Sequence, residues 1–370
     1  SGLITALAAE VSALPIKTLT VGFRQQAFDE RALAREVAQR YATDHHELEL
    51  DLNVNDDLPL IASAYGQPYA DSSAIPSFMV ARAAREHVKV ILNGDGGDEL
   101  FGGYRRHVAA RLRDWVPGGE HFPIRHLARL AGALLPVPKT YRSRYAFLHR
   151  FLRGLGLSRS EALFAWMLDG MNGAELSCAM SPHNERVLDG DPWNDVLQDH
   201  ELNVDRSDDF LAAMLAADRE LILPYDLLVK IDIACMSHAL EARSPLLDHH
   251  LIRGISSWDG RRLVGTRKTK PVLRSIAGHF LPRAVVDAPK RGFEVPLESW
   301  LNNEIRSLSR EAILSRDGMI TSIFDRDWLT SLLDKRQALD PARWSRRVYQ
   351  LLMLALWDEA RRKDQTGHDD

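Results

Sequence analysis

Twelve residues, Asn93 to Tyr104, carry five glycines and three carboxylates and follow directly on the apolar run Val88 to Leu92. That order restricts the fold. Glycines behind a strand let backbone N–H groups approach a ligand closely, and carboxylates clustered beside them call for a neutralising cation. A nucleotide carrying Mg²⁺ meets both needs, because Mg²⁺ takes one or two carboxylates together with phosphate oxygens. Asp98 is the candidate ligand. The same composition also suits a turn whose aspartates cap the next helix, and both readings stand at this level.

The loop belongs to an alternating pattern. Lys17 to Phe23 is β-branched and apolar, which suits a buried parallel strand; Leu48-Glu49-Leu50 is a weaker strand and Val88 to Leu92 a third. Helical spacing at Phe28, Leu33, Val37 and Tyr41, and the alanine-rich stretch 74–87, predict helices between them. Strands and helices in this order predict an α/β fold: a parallel sheet with helices on both faces, whose ligands lie off the carboxyl ends of the strands. From about residue 105 the strand signal ends and a large helical C-terminal lobe is expected. It includes a helical pair over 209–242 interrupted at Pro224, and a helix over 341–362 with Tyr349, Leu352, Met353 and Leu356 at helical spacing. The domain reading is a nucleotide-binding core over 1–115, a helical lobe over 116–362 and a disordered polar tail over 363–370.

Composition removes several classes. A net charge of -4 with interspersed acids is no nucleic-acid footprint, and the lack of a long apolar run argues against a membrane partner. Two cysteines, Cys178 and Cys235, form no disulfide framework and favour a reducing, cytoplasmic setting. His45-His46 and His249-His250 lack the spacing of zinc ligands, and no Gly-x-Ser-x-Gly elbow is present. The chain opens without methionine on what reads as a helix already under way, so it is expected to be part of a longer protein.

Further segments attract attention. Asp226 and Lys230 are four apart and suit a pair on an exposed helix face. Glu241 to Asp248, an acidic and basic pair beside a Pro-broken turn, suits an anchor between lobes. The cations of Gly265 to Arg274 could hold polyphosphate or be solvated surface, and Pro289 to Trp300 carries the same ambiguity. Asp71-Ser72-Ser73 reads equally as a helix cap.

Taken in order, these segments resemble the synthetase domain of glutamine-hydrolysing asparagine synthetases, including related amidotransferases of exopolysaccharide and exosortase clusters. The likeness runs from residue 1 to about 360. It rests on Asn93 to Tyr104, on the block Lys230 to Asp248, on Lys270 to Arg274 and on Lys290 to Trp300. The resemblance implies a fold of the adenine-nucleotide α-hydrolase type. It implies ATP and Mg²⁺, a carboxylate substrate with aspartate foremost, and ammonia from an N-terminal glutaminase domain. A homodimer stays open.

By resemblance Ser1 matches the last serine of the pyrophosphate-cradling loop, and Val21 and Gly22 contact adenine through backbone. Asn93, Gly94 and Tyr104 line the nucleotide pocket, Asp98 holds Mg²⁺, Lys270 stabilises the adenylation step and Asp95 serves amidation. The Asp71 segment resembles one near the acceptor pocket. The chain also departs from the family: Asp95 stands for a glutamate, shortening the reach by about 1.5 Å, one carbon bond. Asn93 stands for serine, Ile233 for arginine and Leu246 for phenylalanine. The implied alternative is another carboxylate acceptor on the same chemistry, or a nucleotide-fold partner module without turnover.

Overall fold

The computed structural model of the chain describes residues 1–22, 29–49, 53–116, 122–136, 138, 143–168, 171, 173–184, 192–202, 204–205, 209–266, 268–288, 295–335 and 339–366. In chain order its first elements are α1 (Gly2–Val11), β1 (Lys17–Gly22), α2 (Arg31–Tyr41), β2 (Asp44–Glu49), α3 (Val54–Tyr65), α4 (Ala74–Ala84), β3 (Val90–Leu92), α5 (Gly97–Phe101), α6 (Arg105–Asp114), α7 (Phe122–Leu134) and α8 (Arg144–Leu155). Helices dominate thereafter, apart from β4 (Glu241–Arg243). The chain divides into two compact units, one of residues 1–52, 71–111 and 215–295, the other of 53–70, 112–214 and 296–370.

The first unit carries the strands. β1 and β2 pair in parallel from Lys17–Asp44 to Gly22–Glu49, joined by α2, because parallel neighbours need a crossover rather than a hairpin. β3 pairs in parallel with β4, from Val90–Glu241 to Leu92–Arg243. Among the described residues the strands therefore form two two-stranded sheets instead of one ladder. Side chains join them: Leu19 of β1, Ile91 of β3 and Ala242 of β4 pack on a buried cluster of Ala81, Ala84, Cys235 and Leu240. A second cluster, Ala6, Val37, Ala277 and Leu281, seats α1 and α2 against the helix Pro271–Phe280, and the Tyr41 hydroxyl donates to the Phe280 carbonyl at 2.8 Å.

Four expectations change here. β2 begins at Asp44, so His45 and His46 lie within the strand, where Thr18 Oγ1 meets His45 Nδ1 at 2.9 Å. Neither β1 nor β3 is a fully buried strand: Lys17 is exposed and Thr18 to Val21 are half-buried, and Val90 and Leu92 are exposed. The strand signal does not end at 105: β4 forms from Glu241-Ala242-Arg243, a triplet with no apolar run, because β3 supplies its partner. Glu241 and Arg243 are exposed on that strand and pair with each other at 2.7 Å, while Asp248 caps the helix His249–Ser256 by accepting from the amides of His250 and Leu251. Finally, Pro224 does not interrupt its helix. The winding widens into a π-helical stretch, Asp218–Leu228, which eases the clash of the proline ring with the preceding turn, and continues as the helix Val229–Met236.

The second unit is helical. Its final helix, Pro341–Thr366, packs along α3 and buries Tyr349, Leu352, Met353 and Leu356, the positions the helical spacing selects. That helix includes Lys363–Thr366, and the Lys363–Glu359 ion pair at i,i+4 extends it into the stretch expected to be disordered; residues 367–370 lie outside the described residues. α7 and α8 pack against each other.

Candidate functional site

Every residue singled out for the site from sequence lies in the first unit. The site starts where β3 ends. Asn93 extends the β3–β4 ladder by donating its amide to the Arg243 carbonyl at 3.0 Å, which fixes the loop to β4. The Asn93 side chain then organises its neighbours: Oδ1 accepts from Ser244 Oγ at 2.6 Å and from the Asp95 amide at 3.3 Å, and Nδ2 donates to the Asp95 carboxylate at 2.8 Å. Gly94 is pressed against the start of α1, and a Cβ there would sit 2.7 Å from the Ser1 nitrogen. Ser1, Asn93, Gly94 and Asp95 are therefore brought together.

One turn further on, Asp98 in the first turn of α5 meets the Lys270 ammonium at 2.9 Å. Any residue but glycine at 103 would drive its Cβ into the Asp98 carboxylate and the Lys270 stem. The Lys270 amide also donates to the Gly102 carbonyl at 3.4 Å. Lys270 holds φ 53°, ψ 46° immediately before Pro271. That is a doubly disfavoured backbone, left-handed for a non-glycine and outside the extended region that a residue before proline prefers; such a conformation costs on the order of 1–3 kcal/mol. The Asp98 and Lys270 side chains keep 14% and 19% of their surface exposed, so the pair is reachable from solvent.

Two further clusters surround this pair. Lys230, from the helix Val229–Met236, is buried and reaches Asp71 at 3.0 Å and Ser73 Oγ at 2.8 Å. This corrects the exposed helix face expected from spacing: Lys230 is buried, and Asp226 adds a further attraction to its ammonium. Burial alone would lower the Lys230 ammonium, but the facing carboxylates of Asp71, Asp226 and Asp95 outweigh it and hold it above the usual lysine range. Burial would likewise raise the Asp71 carboxyl, and Lys230 with Ser73 holds it below. Asp71 also accepts from the Ser73 amide at 2.9 Å, so it performs the turn-capping role as well.

Behind α5 lies an enclosed cluster for which the sequence carried no motif. Asp218, at the start of the π-helical stretch, is fully buried and accepts from Arg106 Nη2 at 2.8 Å, from Arg106 Nε at 3.1 Å, and from His107. Burial pushes the Asp218 carboxyl up, and Arg106 and His107 more than offset this, leaving it below the usual carboxylate range. Tyr104 belongs to this side: its hydroxyl donates to the buried Glu99 carboxylate, and the Arg106 guanidinium lies 3.8 Å from its ring centroid. Burial, with Asp98 and Asp218 nearby, raises the Glu99 carboxyl.

At the end of β1, Val21 is half-buried and Gly22 buried, with the Arg31 side chain lying against Gly22 and held by Asp29 at 2.8 Å. Phe23, Arg267 and 289–294, including Lys290, lie outside the described residues. Chemically, the arrangement offers a reachable carboxylate and ammonium side by side, a second carboxylate within the same short loop, and a buried lysine with its own acid. A single hard oxygen donor such as Asp98 suits a metal that arrives on phosphate, which brings most of its own ligands.

A family model described as asparagine synthase matches residues 1–359. Among relatives, asparagine synthetase (glutamine-hydrolysing) 1 of Bacillus subtilis is 27% identical over 346 residues, which is 92% of this chain and 52% of that protein. A Mycobacterium bovis protein provisionally named an asparagine synthetase (glutamine-hydrolysing) is 29% identical over 353 residues, 92% of this chain and 50% of its own length. The chain thus spans about half the length of these relatives.

Proposed function

The chain belongs to the asparagine synthase family, and on that premise we propose that it is the amidating part of an ATP-dependent carbon–nitrogen ligase acting on a carboxylate, with the aspartate side chain as first candidate. The observation that carries this reading is the Asp98–Lys270 contact beside the β3 loop. Residues 1–362 act in this reading as one amidating domain of the adenine-nucleotide α-hydrolase type.

A substrate carboxylate oxygen attacks the α-phosphorus of ATP, the bond to the bridging oxygen breaks and pyrophosphate leaves. Ammonia then attacks the acyl carbon of the adenylate, AMP departs with the bonding pair, and the amide remains. Attack at phosphorus gathers negative charge on non-bridging oxygens, which the Lys270 ammonium stabilises; its strained backbone aims it before substrate arrives. Asp98 would hold Mg²⁺, which would supply charge neutralisation at the phosphates. Asp95, steadied by Asn93, takes the proton that ammonia sheds as the C–N bond forms. Ser1, Asn93 and Gly94 present backbone and hydroxyl groups to the phosphates, Val21 and Gly22 border the base, and Tyr104 positions α5 from behind through Glu99.

The shorter Asp95 favours one alternative, a carboxylate other than aspartate on the same two steps. Pyrophosphate release by the full-length protein, compared between aspartate and other carboxylates, separates these readings. Absence of Mg-ATP binding in a calorimetric titration overturns both.

A further inference from the structure

The chain is acidic overall, yet from His121 to Ser160 it contains no aspartate or glutamate and eight lysines and arginines. This stretch contains α7 and α8, which pack closely. A Cβ on Gly132 of α7 would lie 3.3 Å from the Arg153 amide nitrogen of α8, and one on Gly156 would lie 3.0 Å from the Arg129 Cα. Side chains fix the hairpin in place: Tyr145 Oη donates to the Pro136 carbonyl at 2.6 Å, and Arg113 donates to the carbonyls of Gly154 and Leu157 at 2.8 and 3.0 Å.

The packing turns the small residues of α7 inward and its leucines outward. Ala128 and Gly132 are buried, whereas Leu127, Leu130 and Leu134 are 69%, 54% and 82% exposed. At about 100° per residue, Pro123, Leu127, Leu130 and Leu134 share an arc of roughly 60°, so the outward face is one apolar stripe. On α8 the exposed side chains include Leu148, Tyr145 and Arg144, and on α7 Arg129 is exposed about 100° round the helix from Leu130. An outward stripe of leucines on an acid-free, arginine-rich hairpin is the pattern of a helix lying in a membrane interface, with leucines among acyl chains and arginines on headgroup phosphates.

We propose that α7 and α8 form a docking surface for an anionic lipid bilayer. The charge selects this occupant. A second copy of the chain would bring like charges together, and a nucleic acid would be met by aromatic side chains rather than by a row of leucines. No described helix is long and apolar enough to cross a membrane, so the hairpin lies on the surface. The sequence-based expectation of no membrane partner addressed spanning segments and did not test this geometry.

The test is co-flotation of the full chain with vesicles of phosphatidylcholine alone, or with roughly one third phosphatidylglycerol. Binding is expected only to the anionic vesicles. Leu127→Ser, Leu130→Ser and Leu134→Ser together should weaken it at least about tenfold, less than the full loss of three buried leucines, with the thermal melt unchanged. Should that variant fail to fold, Arg129→Glu with Arg144→Glu, both exposed, reports on the charge of the same hairpin and should also abolish flotation. Failure of the parent protein to float, equal binding by the leucine variant, or equal binding to neutral vesicles each overturns the proposal. So does retention on a DNA oligonucleotide with no flotation, which would assign the surface to a nucleic acid.

Discussion

The Asp98–Lys270 pair and the Asp218–Arg106–His107 cluster use the same chemistry, carboxylate against cation, in the same unit and to opposite ends. Asp218 and His107 are fully enclosed, and every contact that holds Asp218 is internal. Asp98 and Lys270 retain exposure, their approach depends on a glycine, and the lysine is held in a backbone conformation that costs energy. Enclosure without strain marks a group that maintains architecture. Strain with access marks a group held ready for something that is not part of the protein.

This contrast breaks first if Asp218→Ala leaves the fold intact. Removing the carboxylate strands Arg106 and His107 in a closed site and should cost about 3–5 kcal/mol in urea unfolding. Lys270→Ala should do the reverse, leaving the urea midpoint near that of the parent while pyrophosphate release falls about 10²- to 10³-fold in the full-length protein. An equal loss in both measurements would place Lys270 in the architectural class. Gly103→Ala should displace the Asp98–Lys270 pair and weaken Mg-ATP binding in calorimetry more than it lowers the melting temperature.

Acid should separate the two regions as well. Asp218 and Asp71 are held below their unfolded values, so their stabilisation is present above about pH 4 and is lost as pH falls through the folded values. Asp218→Asn should therefore flatten the acid limb of stability in pH-dependent urea melts. The smallest effect concerns Glu99, whose carboxyl is raised: its ionisation costs stability as pH climbs from about 4.3 through the folded value. Glu99→Gln, which keeps an acceptor for Tyr104, should raise the melting temperature at neutral pH by roughly a few degrees.

Legibility followed the range of the interactions. α2 and the final helix announce themselves through periodicity because each has one local face to bury, whereas β1 and α4 show through β-branched and alanine-rich composition. β4 does not, since Glu241-Ala242-Arg243 becomes a strand only through a partner distant in the chain. Lys230 was placed on an exposed face for a related reason: four-residue spacing to Asp226 is a true helical relation, but it says nothing of Asp71 and Ser73, which hold the ammonium in a buried setting. The glycine-rich loop stood out by composition. That it meets Lys270 is a tertiary fact which the family resemblance suggested and which no spacing encodes. The Asp218 cluster left no trace because single acidic and basic residues scattered over a hundred positions look like ordinary surface.

The pairing of β3 with β4 also has a temporal side. A ribosome that has delivered Asn93 to Tyr104 has not yet made the segment that braces them, and residues 105–243 must emerge before Arg243 can accept the Asn93 amide. Closing so wide a loop is slow and entropically unfavourable. The glycine-rich loop is thus made well before β4 can brace it, and until then β3 keeps an unpaired edge.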